Sequence, residues 1–320
     1  MNVLSLFDGM SCGRIALDRA GIKIDKYYSS EIKDYAIKVA NINYPMDKKY
    51  RLGDITKIKT TNLPNIDLLI GGSPCQDFSG ANKERLGTKG LKSGLFYEYV
   101  RILKEATPKY FLLENVRMKK EHQNIISELL GCEPIVINSE LVAPHLRHRL
   151  YWTNISFYEM PKDKGLCLND FLMQGYSDRR KARTLLESDS RPLSTPIKMC
   201  HRYFNTGFTT LIFKSEEHFN IIKKHFDIYF KGKSAKEIDL LIVDMDLSLY
   251  DGVRYMTNTE REACQTVPIG YTNTLTQNEA ACILGDGWTV DVIAYIFSHI
   301  SKEIIWNIQS ALMIPVFLQT

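Results

Sequence analysis

The sequence predicts an α/β protein: a mostly parallel sheet with helices on both faces, plus a smaller second region. Two features carry that prediction. Apolar, strand-like runs alternate with helix-like segments as far as residue 155, the pattern of a sheet wound through crossover helices. From 156 to about 250 the alternation breaks down, and Pro161, Pro192 and Pro196 mark turns. Strands are expected near 2–6, 26–30, 66–70, 109–113, 133–138 and 149–155, and helices near 12–20, 32–43, 93–106 and 119–130.

Taken in order, Val3-Leu4-Ser5-Leu6-Phe7 runs into Asp8-Gly9-Met10-Ser11-Cys12-Gly13 and a helix, a strand–glycine turn–helix of nucleotide type. Only Gly9 and Gly13 are present, which is not the G-x-G-x-x-G spacing of a pyrophosphate-binding dinucleotide site. Glu31 closes the run Tyr27 to Ser30, where an acidic side chain would accept from ribose hydroxyls, and Ile32 follows it. Gly53-Asp54-Ile55 offers a polar contact and an apolar wall for a base. The third run, Ile66 to Ile70, leads into Gly71-Gly72-Ser73-Pro74-Cys75-Gln76, so Cys75 lands in the loop at the C-terminal edge, where open α/β sheets bind ligands. A useful fraction of a cysteine is thiolate near neutral pH, which makes it a strong nucleophile. Pro74 restricts the backbone before it, and the glycine pair is expected to let a substrate approach the main chain. Glu114-Asn115-Val116 ends the strand Tyr110 to Leu113 on the same edge, and Arg147-His148-Arg149 leads into Leu150 to Ile155.

In this order along the chain, the set resembles the DNA (cytosine-5) methyltransferase family. Phe7-Asp8-Gly9 with Gly13 is similar to the first cofactor motif, in a Phe-Asp-Gly form like that of the de novo methyltransferases and many phage and bacterial enzymes. Pro74-Cys75-Gln76 is similar to the catalytic motif, Glu114-Asn115-Val116 to the second, Arg147-x-Arg149 to the arginine pair and Gly285-Asp286-Gly287-Trp288-Thr289-Val290 to the last, which returns to the cofactor. Two positions depart from the pattern: His145 stands where the arginine motif has glutamine, and Asp286 where the last motif has asparagine. His145 still offers a donor, and Asp286 puts a negative charge near a cationic sulfur.

The resemblance implies S-adenosyl-L-methionine as cofactor, held by Phe7, Asp8, Gly9, Met10, Ser11, Gly13, Glu31, Ile32, Asp54, Ile55, Pro74, Asp286, Gly287 and Trp288. It implies Cys75, Glu114, Arg147 and Arg149 as catalytic residues. The thiolate of Cys75 adds to carbon 6 of cytosine, and Glu114 shares a proton with ring N3 in a dry pocket. Arg149 holds the exocyclic oxygen, Asn115 braces the loop, and carbon 5 takes the methyl group. A stacked duplex buries that carbon, so the base must be flipped out, and residues 77–92 read as a lid over it. Double-stranded DNA is the implied partner, contacted by Gln76, Ser79, Lys83 and Arg85 and, from the middle segment, by Arg179, Arg180, Arg183 and Arg202. A tRNA-methylating branch shares the motifs but carries a Cys-Phe-Thr triplet that is absent here; a silent nucleic-acid-binding protein would not need Cys75, Glu114 and both arginines. The functional division expected is a catalytic and cofactor-binding domain at 1–157 and 257–320, and a target-recognition domain at 158–256 in which loops and strands read the major groove. Thr259-Glu260-Arg261-Glu262 is similar to the start of the penultimate motif, a helix.

Composition is compatible with this reading. At 320 residues, with 44% hydrophobic and 24% charged residues, the chain is an ordinary globular protein. A net charge of +4 is modest, so affinity for DNA would rest on local patches such as Arg179-Arg180-Lys181-x-Arg183. Seven cysteines without a C-x-x-C pair, and seven histidines without ligand spacing, argue against a disulfide framework or a metal site. With a strand beginning at residue 2, no leader is expected, and the compact size fits a cytoplasmic bacterial or phage enzyme of restriction–modification type. The apolar tail from Ile304 to Thr320 is broken by Pro315 and too short for a membrane span; packing back onto the domain is the ordinary expectation and weak self-association the sharper one.

Overall fold

The computed structural model describes residues 1–74, 94–157, 159–187, 195–243 and 245–300. It divides into two compact units, one formed by Met1–Ile137, His148–Pro161 and the chain from Val290 on, the other by Asn138–Arg147 and Lys162–Thr289.

The first unit is a six-stranded sheet: β1 (Asn2–Leu6), β2 (Lys26–Ser30), β3 (Leu68–Gly71), β4 (Tyr110–Val116), β5 (Ile135–Asn138) and β6 (His148–Thr153). The spatial order is β2-β1-β3-β4-β6-β5. β1 pairs parallel with both β2 and β3, β3 pairs parallel with β4, and β6 runs antiparallel to β4. The chain thus leaves β1 in one direction, through α1 (Cys12–Arg19), and leaves β3 in the other, through α3 (Gly94–Ala106). Right-handed crossovers then place those two helices on opposite faces and open a crevice at the C-terminal ends of β1 and β3. Burial agrees with two covered faces. Leu4, Leu6, Leu69, Leu113 and Trp152 join one core with Phe96, Tyr99 and Ile102 of α3 and Ile126 of α4 (Lys120–Leu130). Their pleat neighbours Val3, Leu68, Ile70 and Leu112 are equally buried. After α2 (Asp34–Asn43), Arg51 bridges to Ser29 beside β2, and the chain returns beneath the sheet with Ile55 and Ile58 in the α3-side core.

Gly71 corrects one expectation. A Cβ there would lie 3.0 Å from the Tyr99 ring and 3.1 Å from the Leu6 carbonyl, so the close approach it permits is that of α3 to the sheet, not of a substrate.

The second unit is mainly helical: α5 (Pro196–Thr206), α6 (Glu216–Tyr229), α7 (Ala235–Leu241), α8 (Asn258–Gln265) and α9 (Gln277–Asp286). Its core is aromatic, with Tyr203, Phe213, Phe219, Phe226, Phe230 and Tyr250 packed around Ile222. The aromatic and β-branched stretch 203–213 lies in the segment expected to supply loops and strands, and it divides differently. Its first part ends α5, which starts on Pro196 and stops at Gly207 in the left-handed region, while Ile212 and Phe213 make only isolated bridges. Helical periodicity runs in the sequence from about Asn278 to Ile308, but among the described residues the helix is interrupted between α9 and a helix α10 (Val290–Ile300) that belongs to the first unit. Three helices open on reciprocal capping boxes, Ser234 with Glu237, Thr257 with Glu260 and Thr276 with Glu279.

Glu260 does more than cap. Fully buried, it takes a two-pronged contact from Arg254 (2.8 Å on each oxygen) and also accepts from Met173 N–H. Burial pushes its pKa up, but these partners outweigh that and hold it below its ordinary value of 4.5. A depressed folded-state pKa stabilises the fold above the unfolded value and stops doing so as pH falls through the folded one. Glu260→Gln is therefore expected to lower the urea midpoint at neutral pH and to flatten its acid-side fall below 4.5. An unchanged acid slope would assign that fall to other carboxylates.

Candidate active site

The sequence-predicted positions after β1 and β2 and those on β4 and β6 lie at one edge of the sheet. The turn after β1 is strained: Phe7, Gly9 and Ser11 all have positive φ (57°, 56° and 64°). For a bulky residue such as Phe7 this is a genuine outlier, the kind concentrated at functional sites. Glu31, just past β2, secures the turn by accepting from Gly9 N–H at 2.8 Å with one oxygen and from Ile32 and Lys33 N–H with the other. Ile32 is 71% exposed beside it, an apolar side chain left open at the sheet edge.

Asp8 turns inward. Its oxygens accept from the Tyr27 hydroxyl at 2.7 Å and the Ser11 hydroxyl at 2.6 Å, with the Arg51 guanidinium 3.6 Å away. Burial raises its pKa, and the hydroxyls of Ser11, Ser5 and Tyr27 and the charge of Arg51 offset only part of that. Ser11 precedes α1 in the left-handed region rather than the extended one of a capping residue, its hydroxyl is turned toward Asp8, and α1 has no side-chain cap. Met10 and Gly13 are buried below the turn. Asp54 caps the short turn at Ile55–Lys57 through Thr56, and Ile55 is packed into the α3-side core rather than standing as an open wall.

The parallel register pairs Gly71 with Leu113, so Glu114 lies one residue beyond the end of β3, level with Gly72. Glu114 faces Tyr151 on β6, which puts Arg149, two residues earlier, diagonally across the same sheet face. Arg149 Nε sits 2.8 Å from Glu114 Oε1, both side chains almost buried, in a contact that is ionic rather than an aligned hydrogen bond. Asn115 donates to the Ser73 hydroxyl at 3.0 Å, both residues buried, so the loop entering Pro74 is tied to β4. The resemblance already implied that Asn115 braces the loop; its partner, Ser73, follows from the strand register.

In the second unit, Arg147 is buried, and its guanidinium donates to the carbonyls of Leu185 (3.3 Å), Gly285 (3.1 Å), Asp286 (3.5 Å) and Gly287 (2.8 Å). Gln265 also donates to Gly287, at 3.0 Å, and to the Leu284 carbonyl. Those two bonds fix its amide, so Gln265 Oε1 accepts from Thr289 Oγ1. With its one proton committed there, Thr289 can only accept from His145 Nε2 (3.0 Å) and Ser139 Oγ (2.9 Å). His145 thus carries a proton on Nε2, a donor where the motif pattern has glutamine. Residues 285–289 are thereby held rigidly, with Asp286 exposed and Trp288 half-buried. Gly285 is required on its own account, since a Cβ would lie 2.4 Å from the Leu186 backbone. Arg147→Ala would take the guanidinium away from the buried carbonyls of Leu185 and Gly285 and should cost about 3 kcal/mol, read as a lower urea midpoint, with Arg147→Lys recovering part of it.

The predicted DNA-contact arginines separate. Arg179 donates to the Gly207 carbonyl at 3.2 Å and lies over the Tyr203 ring, and Lys181 serves the carbonyls of Glu140 and Ala143. Arg180 and Arg183 are exposed and Arg202 half-buried.

The profile of the family described as C-5 cytosine-specific DNA methylase matches residues 1–302. The chain belongs to that family. An orphan methyltransferase of Bacillus phage SPR is 36% identical over 162 residues, 47% of this chain and 37% of the phage protein. A type II methyltransferase of Neisseria gonorrhoeae is 44% identical over 117 residues, 35% of this chain and 27% of that protein. The matched stretch thus spans roughly a third of these relatives' own length. The structure of the Entamoeba histolytica methyltransferase EhMeth superposes with a TM-score of 0.69 at 15% identity, covering 95% of this chain and 98% of that one, a likeness of fold. S-adenosyl-L-methionine is the methyl donor of the C-5 cytosine methylase family. Of the residues singled out in this methylase chain, Cys75, Gln76, Ser79, Lys83, Arg85 and the tail beyond 300 lie outside the described residues. Among the described residues no three His, Cys, Asp or Glu are placed to hold a metal ion, and no single helix is long and apolar enough to cross a membrane.

Proposed function

We propose that this chain methylates carbon 5 of a cytosine flipped out of duplex DNA, through a covalent Cys75 adduct at carbon 6. The Glu114–Arg149 pair carries the reading, since it sets a carboxylate and a guanidinium 2.8 Å apart just past the strand that leads to Cys75. Such a pair matches the two polar edges of the ring. Glu114 holds a proton at N3 and Arg149 donates to the exocyclic oxygen, which together draw charge away as the thiolate adds.

The donor set at the sheet edge fits S-adenosyl-L-methionine: Glu31 offers acceptors for ribose hydroxyls, and exposed Ile32 an apolar face for a base. When bound, that group supplies the electrophilic methyl. Cys75 forms the bond from sulfur to carbon 6 and leaves an electron pair on carbon 5, which takes the methyl group. Loss of the carbon 5 proton then returns the pair, and the bond to sulfur breaks. Asn115, by fixing Ser73, keeps the nucleophile's loop in register with Glu114. Arg147 is read as a positioning residue for 285–289, and 158–256 as the target-recognition region of an enzyme working in the cytoplasm of a bacterium or a phage-infected cell.

Bisulfite sequencing of plasmid DNA from a methylation-free bacterium expressing the chain tests this. A discrete set of protected cytosines in one short context is expected. Cofactor binding without any protected DNA cytosine would sink the DNA reading, and protected cytosines confined to RNA would transfer the activity to that substrate.

A further inference from the structure

We propose that Phe208 is an aromatic wedge that enters a base step of duplex DNA and that Arg183 beside it neutralises a backbone phosphate. The assignment rests on the reading of duplex DNA as substrate and adds to it the residues that would grip the duplex. Phe208 is a large apolar side chain left 71% exposed on a backbone that is anything but loose. On one side Gly207, in the left-handed region at the end of α5, is held through its carbonyl by Arg179, itself steadied over the Tyr203 ring. On the other side the buried Thr210 hydroxyl accepts from Arg183 N–H at 2.8 Å, and Ile212 bridges to Arg254. A pinned turn projecting an aromatic ring loses little freedom on binding, as insertion between stacked bases requires.

The surroundings are cationic. Phe208 and Arg183 line one cavity with Thr209, Tyr255, Met256 and Arg261. Arg183 is exposed, while Arg179 and Lys181 of the same basic run are occupied by carbonyls. An aromatic face and a solvated guanidinium on one wall suit the flat faces and phosphates of nucleic acid, and suit poorly an acidic peptide, which offers no stacking surface.

The two roles differ in their dependence on salt. Binding of fluorescein-labelled plasmid fragments by the full chain would be followed by anisotropy across a salt series. Phe208→Ala should weaken binding about ten- to a hundredfold with the logarithmic salt slope unchanged, and Phe208→Trp should restore it. Arg183→Gln should lower that slope by about one unit. Wild-type affinity in Phe208→Ala, or a slope unaltered in Arg183→Gln, would overturn the assignment. A wild-type chain that binds no DNA would overturn instead the reading on which it rests.

Discussion

Cys75→Ser will abolish methyl transfer and leave cofactor binding intact. The alkoxide needed to replace a thiolate is scarcely present at neutral pH, so the exchange removes the nucleophile while changing the volume very little. Loss of a nucleophile costs several orders of magnitude in turnover. The residues proposed to hold the cofactor, Glu31 and Ile32, follow a different strand, and the brace between Ser73 and Asn115 does not involve residue 75. Calorimetric cofactor affinity within about twofold of wild type, with no labelled methyl group incorporated in a single-turnover assay, is the expected pair of results. Methylation persisting in this variant would exclude the covalent route.

Glu114→Gln is expected to lower kcat by about a hundred- to ten-thousandfold, the range for loss of a general acid, with a much smaller change in KM. The amide is the same size and still offers an oxygen, but it can neither hold a proton for N3 nor balance the Arg149 charge 2.8 Å away. Glu114→Asp keeps the charge and withdraws it by one methylene, so an intermediate rate is expected. A kcat within tenfold of wild type for Glu114→Gln would mean that the carboxylate only fixes Arg149.

The sheet was legible because β1, β3, β4 and β5 carry apolar runs closed by a polar or glycine residue, while β2 (Lys26–Ser30) rests on its two tyrosines and β6 on Leu150 to Trp152; the six strands appear where the alternation places them. Glu114 and Arg149 were legible as members of motifs, but their pairing follows from the β4–β6 register, which no local pattern encodes. Residues 203–213 misled because aromatic and β-branched side chains suit a strand and also suit the aromatic core that buries Tyr203 and Phe213. The better signal was Pro196 at the start of α5 and Gly207 at its end. Arg147 shows the limit of motif spelling. Nothing in Arg-x-Arg says that one guanidinium is enclosed by carbonyls from residues 185 and 285–287, contacts set by chain segments far away in sequence.

That distance orders events during synthesis. Arg147 leaves the ribosome 140 residues ahead of the Gly287 carbonyl it serves, and Gln265, which fills the other lone pair of that oxygen, follows 118 residues after Arg147. Until residues 285–287 emerge, the Arg147 guanidinium has only the Leu185 carbonyl among its four backbone partners. The first strands and helices of the sheet are by then already outside. The sheet strands thus emerge ahead of residues 285–287, the segment on which closure of the second unit around Arg147 depends.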